Sequence, residues 1–206
     1  MRLDHLFPIP IVRITVDSSM IDNTRALVDQ YIDSEKLLEL DPDETHTELL
    51  TTFYNSKDFL GKINDRSLLN FINSKSREFL NLRGFDPKCY LEITSWLQVY
   101  PPGTHFNKHD HYGAILSGVL YLETPPGCGN IRFYNPNTGR RATDVFFDRI
   151  KIKSNEYNHS YVEYTPIKGE MLMFESWLEH SVDMNVTTEN RIAVSFNIWG
   201  DTHAQS

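Results

Sequence analysis

The chain has 206 residues, 40% of them hydrophobic and 23% charged, with a formal net charge of −8. That balance supports a packed globular core, excludes a disordered or fibrous chain, and argues against a protein held on nucleic acid by its overall field. Two cysteines without paired spacing, Cys89 and Cys128, give neither a disulfide framework nor a cysteine zinc site, so any metal must be held by His, Asp or Glu.

The opening, MRLDHLFPIPIV, carries Asp4, His5 and two prolines where a signal peptide would be apolar. No apolar run approaches the ~18 residues that span a bilayer, and the reading is a cytoplasmic protein with no membrane partner. Residues 8–17 (PIPIVRITVD) alternate apolar and polar positions and predict a strand. From Ser19 to Leu40, Ile21, Leu27, Val28, Tyr31, Ile32 and Leu38 recur at helical spacing until Asp41-Pro42 ends the pattern. Residues 41–61 give mixed signals and read mainly as loop. A second helix is predicted from a cap at Asn64 or Asp65, burying Leu68, Leu69, Ile72, Phe79 and Leu80 and stopping at Gly84.

After Gly84 the character changes. CYLEITSWLQVY, AILSGVLYLE, NIRFY, SYVEYT, EMLMFE and RIAVSFNIW are short runs rich in β-branched and aromatic residues, separated by Pro, Gly and Asn turns. No helical segment lies between them to cross over to a parallel neighbour, so they predict an antiparallel sandwich or jelly roll. The expected architecture is mainly β (α+β). It is one domain, in which residues 1–84 form a strand and helices packed on a barrel built from residues 85–200. The polar stretch 135–160, apolar only at Val145 to Phe147, reads as a hairpin insertion beside the barrel mouth.

The stretch HFNKHDHYG, residues 105–113, concentrates three histidines and an aspartate. If residues 105–111 are extended, His105, Asn107, His109 and His111 share one face and Asp110 points the other way. An H-x-H pair on one face presents two imidazoles to one ion, and neutral imidazole is a common metal ligand. His180, in GEMLMFESWLEHSV, is the third candidate, because an antiparallel jelly roll brings distant strands around one pocket. His5, His46, His159 and His203 stand alone and read as surface or hydrogen-bonded side chains.

His109-Asp110-His111, followed by YGAIL and SGVLYL, resembles the 2-oxoglutarate and iron(II) dependent oxygenases, in the prolyl-hydroxylase-like superfamily. The resemblance covers most of residues 85–200 and implies a double-stranded β-helix, a jelly-roll barrel like that of the cupins. It selects His109 and His111 over His105 and implies Fe(II), 2-oxoglutarate and dioxygen as cofactor and cosubstrates. It also implies hydroxylation of an unidentified small molecule or protein residue, with release of succinate and carbon dioxide. In the family an arginine about ten residues after the last histidine pairs with the far carboxylate of 2-oxoglutarate; Arg191 stands 11 residues after His180. Tyr121 and Ser195 match the hydroxyl residues that assist that arginine, and Asn197 and Gln98 are expected to line the same pocket. Trp96, Tyr100, Tyr112 and Arg140 are expected near the barrel mouth.

The particular oxygenases this chain resembles read roughly H-x-H, a short spacer, then S-G-V-x-Y; the departure is from the general superfamily, most of whose members have H-x-D where position 111 is histidine. Either His111 takes the carboxylate's place or Asp110 reaches the metal. A cupin-type metal protein without 2-oxoglutarate would share the fold. It would carry a glutamate shortly after the H-x-H, which this chain lacks, and would not need Arg191. A non-catalytic barrel acting as a binding module is the third reading.

Overall fold

The computed structural model describes residues 7–34, 38–39, 49–54, 56–137, 144–155 and 158–200. The N-terminal strand is β1 (Ile11–Thr15), followed by helix α1 (Ser18–Ser34). The helix ends six residues earlier than its periodicity suggests. Leu38–Glu39 instead forms strand β2, paired antiparallel with β3 (Leu50–Thr51), so backbone pairing at a sheet edge overrides the apolar repeat. The region read as loop also contains a one-turn helix, α2 (Phe59–Lys62), capped by the Asp58 side chain. Of the isolated histidines, His5, His46 and His203 lie outside the described residues, as does Arg140.

Helix α3 (Arg66–Leu82) starts at Asp65, whose carboxylate accepts the Leu68 N–H and is also reached by the Thr24 hydroxyl of α1. A buried carboxylate is tolerated here because orphan donors surround it, and it ties the two helices together. At the other end Gly84 adopts φ +78°, and the N–H of Phe85 returns to the Leu80 carbonyl. Glycine is favoured there because the left-handed conformation carries no side-chain penalty for it.

The β region comprises β4 (Leu91–Tyr100), β5 (Phe106–His109), β6 (Leu116–Glu123), β7 (Ile131–Tyr134), β8 (Tyr161–Tyr164), β9 (Glu170–Glu175), β10 (His180–Val182) and β11 (Arg191–Gly200). They form a seven-stranded sheet, β1-β9-β6-β11-β4-β3-β2, and a four-stranded sheet, β5-β10-β7-β8, with antiparallel ladders throughout. These are the two facing sheets of a jelly roll. The expected hairpin at 135–160 is corrected: Asp144–Ile150 forms helix α4, so Val145 and Phe146 belong to a helical turn, where they remain exposed.

The large sheet is buried on both faces, and strand alternation divides the work. In β11, Ile192, Val194, Phe196 and Ile198 join Leu97 and Val99 of β4, Leu120 of β6 and Met171 and Met173 of β9 against the helices. Val28 and Tyr31 of α1, Phe59 and Leu60 of α2, and Leu68, Ile72 and Phe79 of α3 complete that layer. Each fully buried aliphatic or aromatic side chain contributes about 1.5–3 kcal/mol. Close packing explains Gly118 in the middle of β6: a Cβ there would lie 2.2 Å from the Phe196 ring. On the opposite face, Val119, Tyr121, Leu172, Phe174 and Ala193 pack on Ile131 and Phe133 of the small sheet. Arg191, Ser195 and Asn197 share this inward parity on β11. The sheet therefore turns its apolar side to the helices and aims its polar positions between the sheets.

Candidate active site

β5 and β10 pair so that His109 lies opposite His180 in register. β5 ends at His109; His111 follows in a turn whose position is fixed by its own N–H donating to the Ser176 carbonyl at 3.0 Å. The Ala114 N–H closes the turn on the His111 carbonyl at 3.2 Å. The three rings converge, with centroids 4.2 Å apart for His109 and His180, 5.1 Å for His109 and His111, and 5.2 Å for His111 and His180. One ring nitrogen from each lies within 4.8 Å of the others. Among the described residues this is the only cluster of three or more potential ligand side chains, and Asp110 is exposed outside it. Asp110 takes no part in that convergence.

Backbone carbonyls set the ring orientations. Nδ1 of His109 is 2.8 Å from the Asn107 carbonyl and Nδ1 of His180 is 2.9 Å from the Leu178 carbonyl. A carbonyl can only accept, so each Nδ1 carries the proton and each Nε2 keeps its lone pair. Phe133 and Phe174 pack on the His180 ring and Trp96 on that of His111. Burial, then the neighbouring His109, lowers the His111 pKa to about 4. Burial, with His109 and His111 adding to it, holds His180 well below the ordinary imidazole value. Both rings are therefore neutral at pH 7, the state that binds a cation. Three imidazoles on one side of an ion fit a divalent metal with open positions.

The same cavity extends from the histidines past Trp96, Gln98, Val119 and Ser195 to Tyr100 and Arg191. Arg191 is 1% exposed. Its guanidinium lies 4.8 Å from the Tyr100 ring centroid and 5.1 Å from that of Tyr121, and its Nη1 donates to the Gly129 carbonyl at 3.2 Å. No carboxylate pairs with it among the described residues, and its Nε finds no acceptor. The Tyr121 hydroxyl is buried and equally without a partner, and burial raises its pKa, as it raises that of Tyr100 to about 12. A buried, unpaired cation costs several kcal/mol, and ring contacts return only ~2 kcal/mol of that. The arrangement fits an anion able to accept from both groups.

The other expected pocket residues divide. Ser195 donates to Gln98 Oε1 at 2.7 Å, so the two form a pair on the cavity wall. Asn197 does not line the cavity with them; its amide bridges Ser117 and His111. Tyr100 lies against Arg191 rather than at the mouth, because the Tyr100–Arg191 register of β4 and β11 places them side by side. Tyr112, 96% exposed beside the histidine turn, is at the surface. Cys128 is buried in the turn that precedes β7, as a structural residue would be. Sequence reasoning missed Ser117 and Ser176; a serine flanking an apolar run carries no signal beyond its polarity.

A family model described as "Putative 2OG-Fe(II) oxygenase" matches residues 94–197, half of the chain, from Thr94 within β4 to Asn197 within β11. The chain belongs to this family. Its members are enzymes that use iron(II), 2-oxoglutarate and dioxygen, and the chain is a 2-oxoglutarate-dependent oxygenase by that membership. Solved structures share the jelly roll. A prolyl-4-hydroxylase from Pseudomonas putida is 17% identical with a TM-score of 0.64, covering 94% of each chain. The epimerase SnoN, in complex with Fe3+, alpha ketoglutarate and nogalamycin RO, is 13% identical with a TM-score of 0.66, covering 94% of this chain and 80% of that one. HygX from Streptomyces hygroscopicus, with nickel, 2-oxoglutarate and hygromycin B bound, is 12% identical with a TM-score of 0.62, covering 95% and 84%. No curated protein matches the chain in sequence. Among the described residues no helix is long and apolar enough to cross a membrane.

Proposed function

We propose that His109, His111 and His180 hold the iron of this oxygenase and that Arg191, with the Tyr121 hydroxyl beside it, receives the far carboxylate of 2-oxoglutarate. The observation that carries the reading is the buried, carboxylate-free Arg191 sharing one cavity with three converging imidazoles. A planar guanidinium matches a carboxylate, and the orphaned Nε and phenol supply directed donors. A cupin-type protein that does not use 2-oxoglutarate would have no use for that cation.

Held by His109, His111 and His180, iron(II) would supply the redox centre for oxidation of the substrate by dioxygen, coupled to conversion of 2-oxoglutarate to succinate and carbon dioxide. The chain's own groups do the positioning. The Asn107 and Leu178 carbonyls hold the protons of His109 and His180 on Nδ1 and leave Nε2 for the metal. The Ser195–Gln98 pair lines the wall between the two ends of the cosubstrate. Phe133, Phe174 and Trp96 surround the rings with apolar surface and keep water from them. The substrate is a small molecule or a protein residue.

Purified protein is expected to convert 2-oxoglutarate to succinate only when iron(II) is supplied, and to lose the conversion as His180→Ala or Arg191→Ala. Iron-independent turnover, or full turnover in either variant, would sink the assignment.

A further inference from the structure

The carboxylate usual at the third ligand position is absent, and the ring that replaces it is the one histidine of the three with no backbone carbonyl on Nδ1. Its Nδ1 lies 3.5 Å from the side-chain amide of Asn197. That amide is 5% exposed and its other end is 2.8 Å from the Ser117 hydroxyl, which is in turn 2.8 Å from the Ser176 hydroxyl. Ser117 and Asn197 are register partners on β6 and β11, and the backbone carbonyl of Ser176 holds the His111 N–H. Ring and backbone of His111 thus hang from one buried polar chain.

The chain of hydroxyls permits two senses. As the amide stands, its nitrogen faces His111 and its oxygen accepts from Ser117; Nδ1 must then accept, the ring proton moves to Nε2, and that nitrogen cannot bind a metal. With the amide turned over, Oδ1 accepts the Nδ1 proton, Nδ2 donates to the Ser117 oxygen, and the Ser117 hydroxyl donates to Ser176. Asn197 and Ser117 then keep a partner on each side, and His111 presents Nε2 as His109 and His180 do. We propose that Asn197, backed by Ser117 and Ser176, is the positioning residue that fixes the metal-binding tautomer of His111. The proposal rests on the three-histidine reading above and reassigns Asn197 from the cosubstrate pocket to the ligand shell.

The test uses the full chain loaded with Zn(II), a redox-inert probe, and long-range proton–nitrogen NMR of the imidazoles. His111 is expected with its proton on Nδ1 and its Nε2 shifted by the metal. In Asn197→Ala, Zn(II) affinity is expected to fall about 10–100-fold, while Asn197→Asp, which can only accept, stays within about threefold of the parent. A His111 ring bound through Nδ1, or Zn(II) affinity unchanged in Asn197→Ala with the fold intact by circular dichroism, overturns the positioning role and leaves the triad standing. A His111 ring that does not respond to Zn(II) at all overturns the triad and this proposal together. Because the tautomer is read in the unmodified protein, a variant that fails to fold does not remove the test.

Discussion

The two ends of the cavity are built on opposite terms. At the histidine end two ring orientations are set by backbone carbonyls and the third ring faces the Asn197 amide. At the arginine end a guanidinium Nε and a phenol are buried with nothing to bond. The first is preorganised, so metal binding costs little reordering; the second is a stored desolvation cost that an anion relieves. The difference teaches that the metal centre and the cosubstrate site respond to mutation with opposite signs of stability.

The comparison can be broken hardest at His180. Removing it as His180→Ala takes away one of the three proposed ligands, and Lewis-acid contributions of several kcal/mol put the expected fall in succinate formation at about 100-fold or more. Retained iron binding by calorimetry would contradict it. Arg191→Met sharpens the contrast. Loss of charge-assisted hydrogen bonds worth ~1.5–3 kcal/mol raises the 2-oxoglutarate concentration needed for half-maximal turnover about 10–100-fold. The same variant, without ligand, melts at the parent's temperature or above it, since replacing an unpaired buried charge by an apolar side chain is neutral or stabilising by roughly 1–4 kcal/mol. In the parent, Mn(II) with 2-oxoglutarate at 100 times its Kd should add about 2.7 kcal/mol of stability, a gain absent from Arg191→Met. A ligand-free Arg191→Met that unfolds more easily than the parent would show that the guanidinium is structural.

Acidification probes the histidine end alone. His111 has a folded pKa of about 4 against ~6.5 for an unfolded imidazole, so over that interval the unfolded chain binds more protons. Stability of the metal-free protein is therefore full above about pH 6.5 and declines as pH falls toward 4; His111→Gln should flatten part of the decline in thermal melts. A melting temperature independent of pH over this window would contradict the burial of the neutral ring. The smallest effect is expected for Ser195→Ala, which removes one hydrogen bond to Gln98 worth about 0.5–1.5 kcal/mol and raises the half-saturating 2-oxoglutarate concentration by tenfold at most. Initial-rate kinetics at saturating iron would measure it.

Legibility followed the length and regularity of each element. The long strands β4, β6, β9 and β11 showed in composition because both faces are buried and their runs are apolar. β10, three residues after a turn, is too short to display alternation and is held by its neighbours β5 and β7. Helix α4 was hidden because seven residues give no helical repeat to read, and the end of α1 because Leu38 fits either period. At the site, the H-x-H spacing revealed two imidazoles, and alternation set Asp110 aside even though the strand stops at His109. The orienting groups were invisible: the Asn107 and Leu178 carbonyls exist at every position of every chain, and only the fold decides which ring they meet. Arg191 was readable as a charge in an apolar strand, whereas its lack of a partner was not.

The alternation along β11 has a further consequence. Its even positions, Ile192 to Ile198, are committed to the helices, and its odd positions to the space between the sheets, where Arg191 and Ser195 line the cavity and Asn197 faces His111, with no side chain serving both. Two independent libraries can therefore be written on one ten-residue strand. One retunes the thermal tolerance of the protein and the other its ligand chemistry, and their effects are expected to combine with little interference.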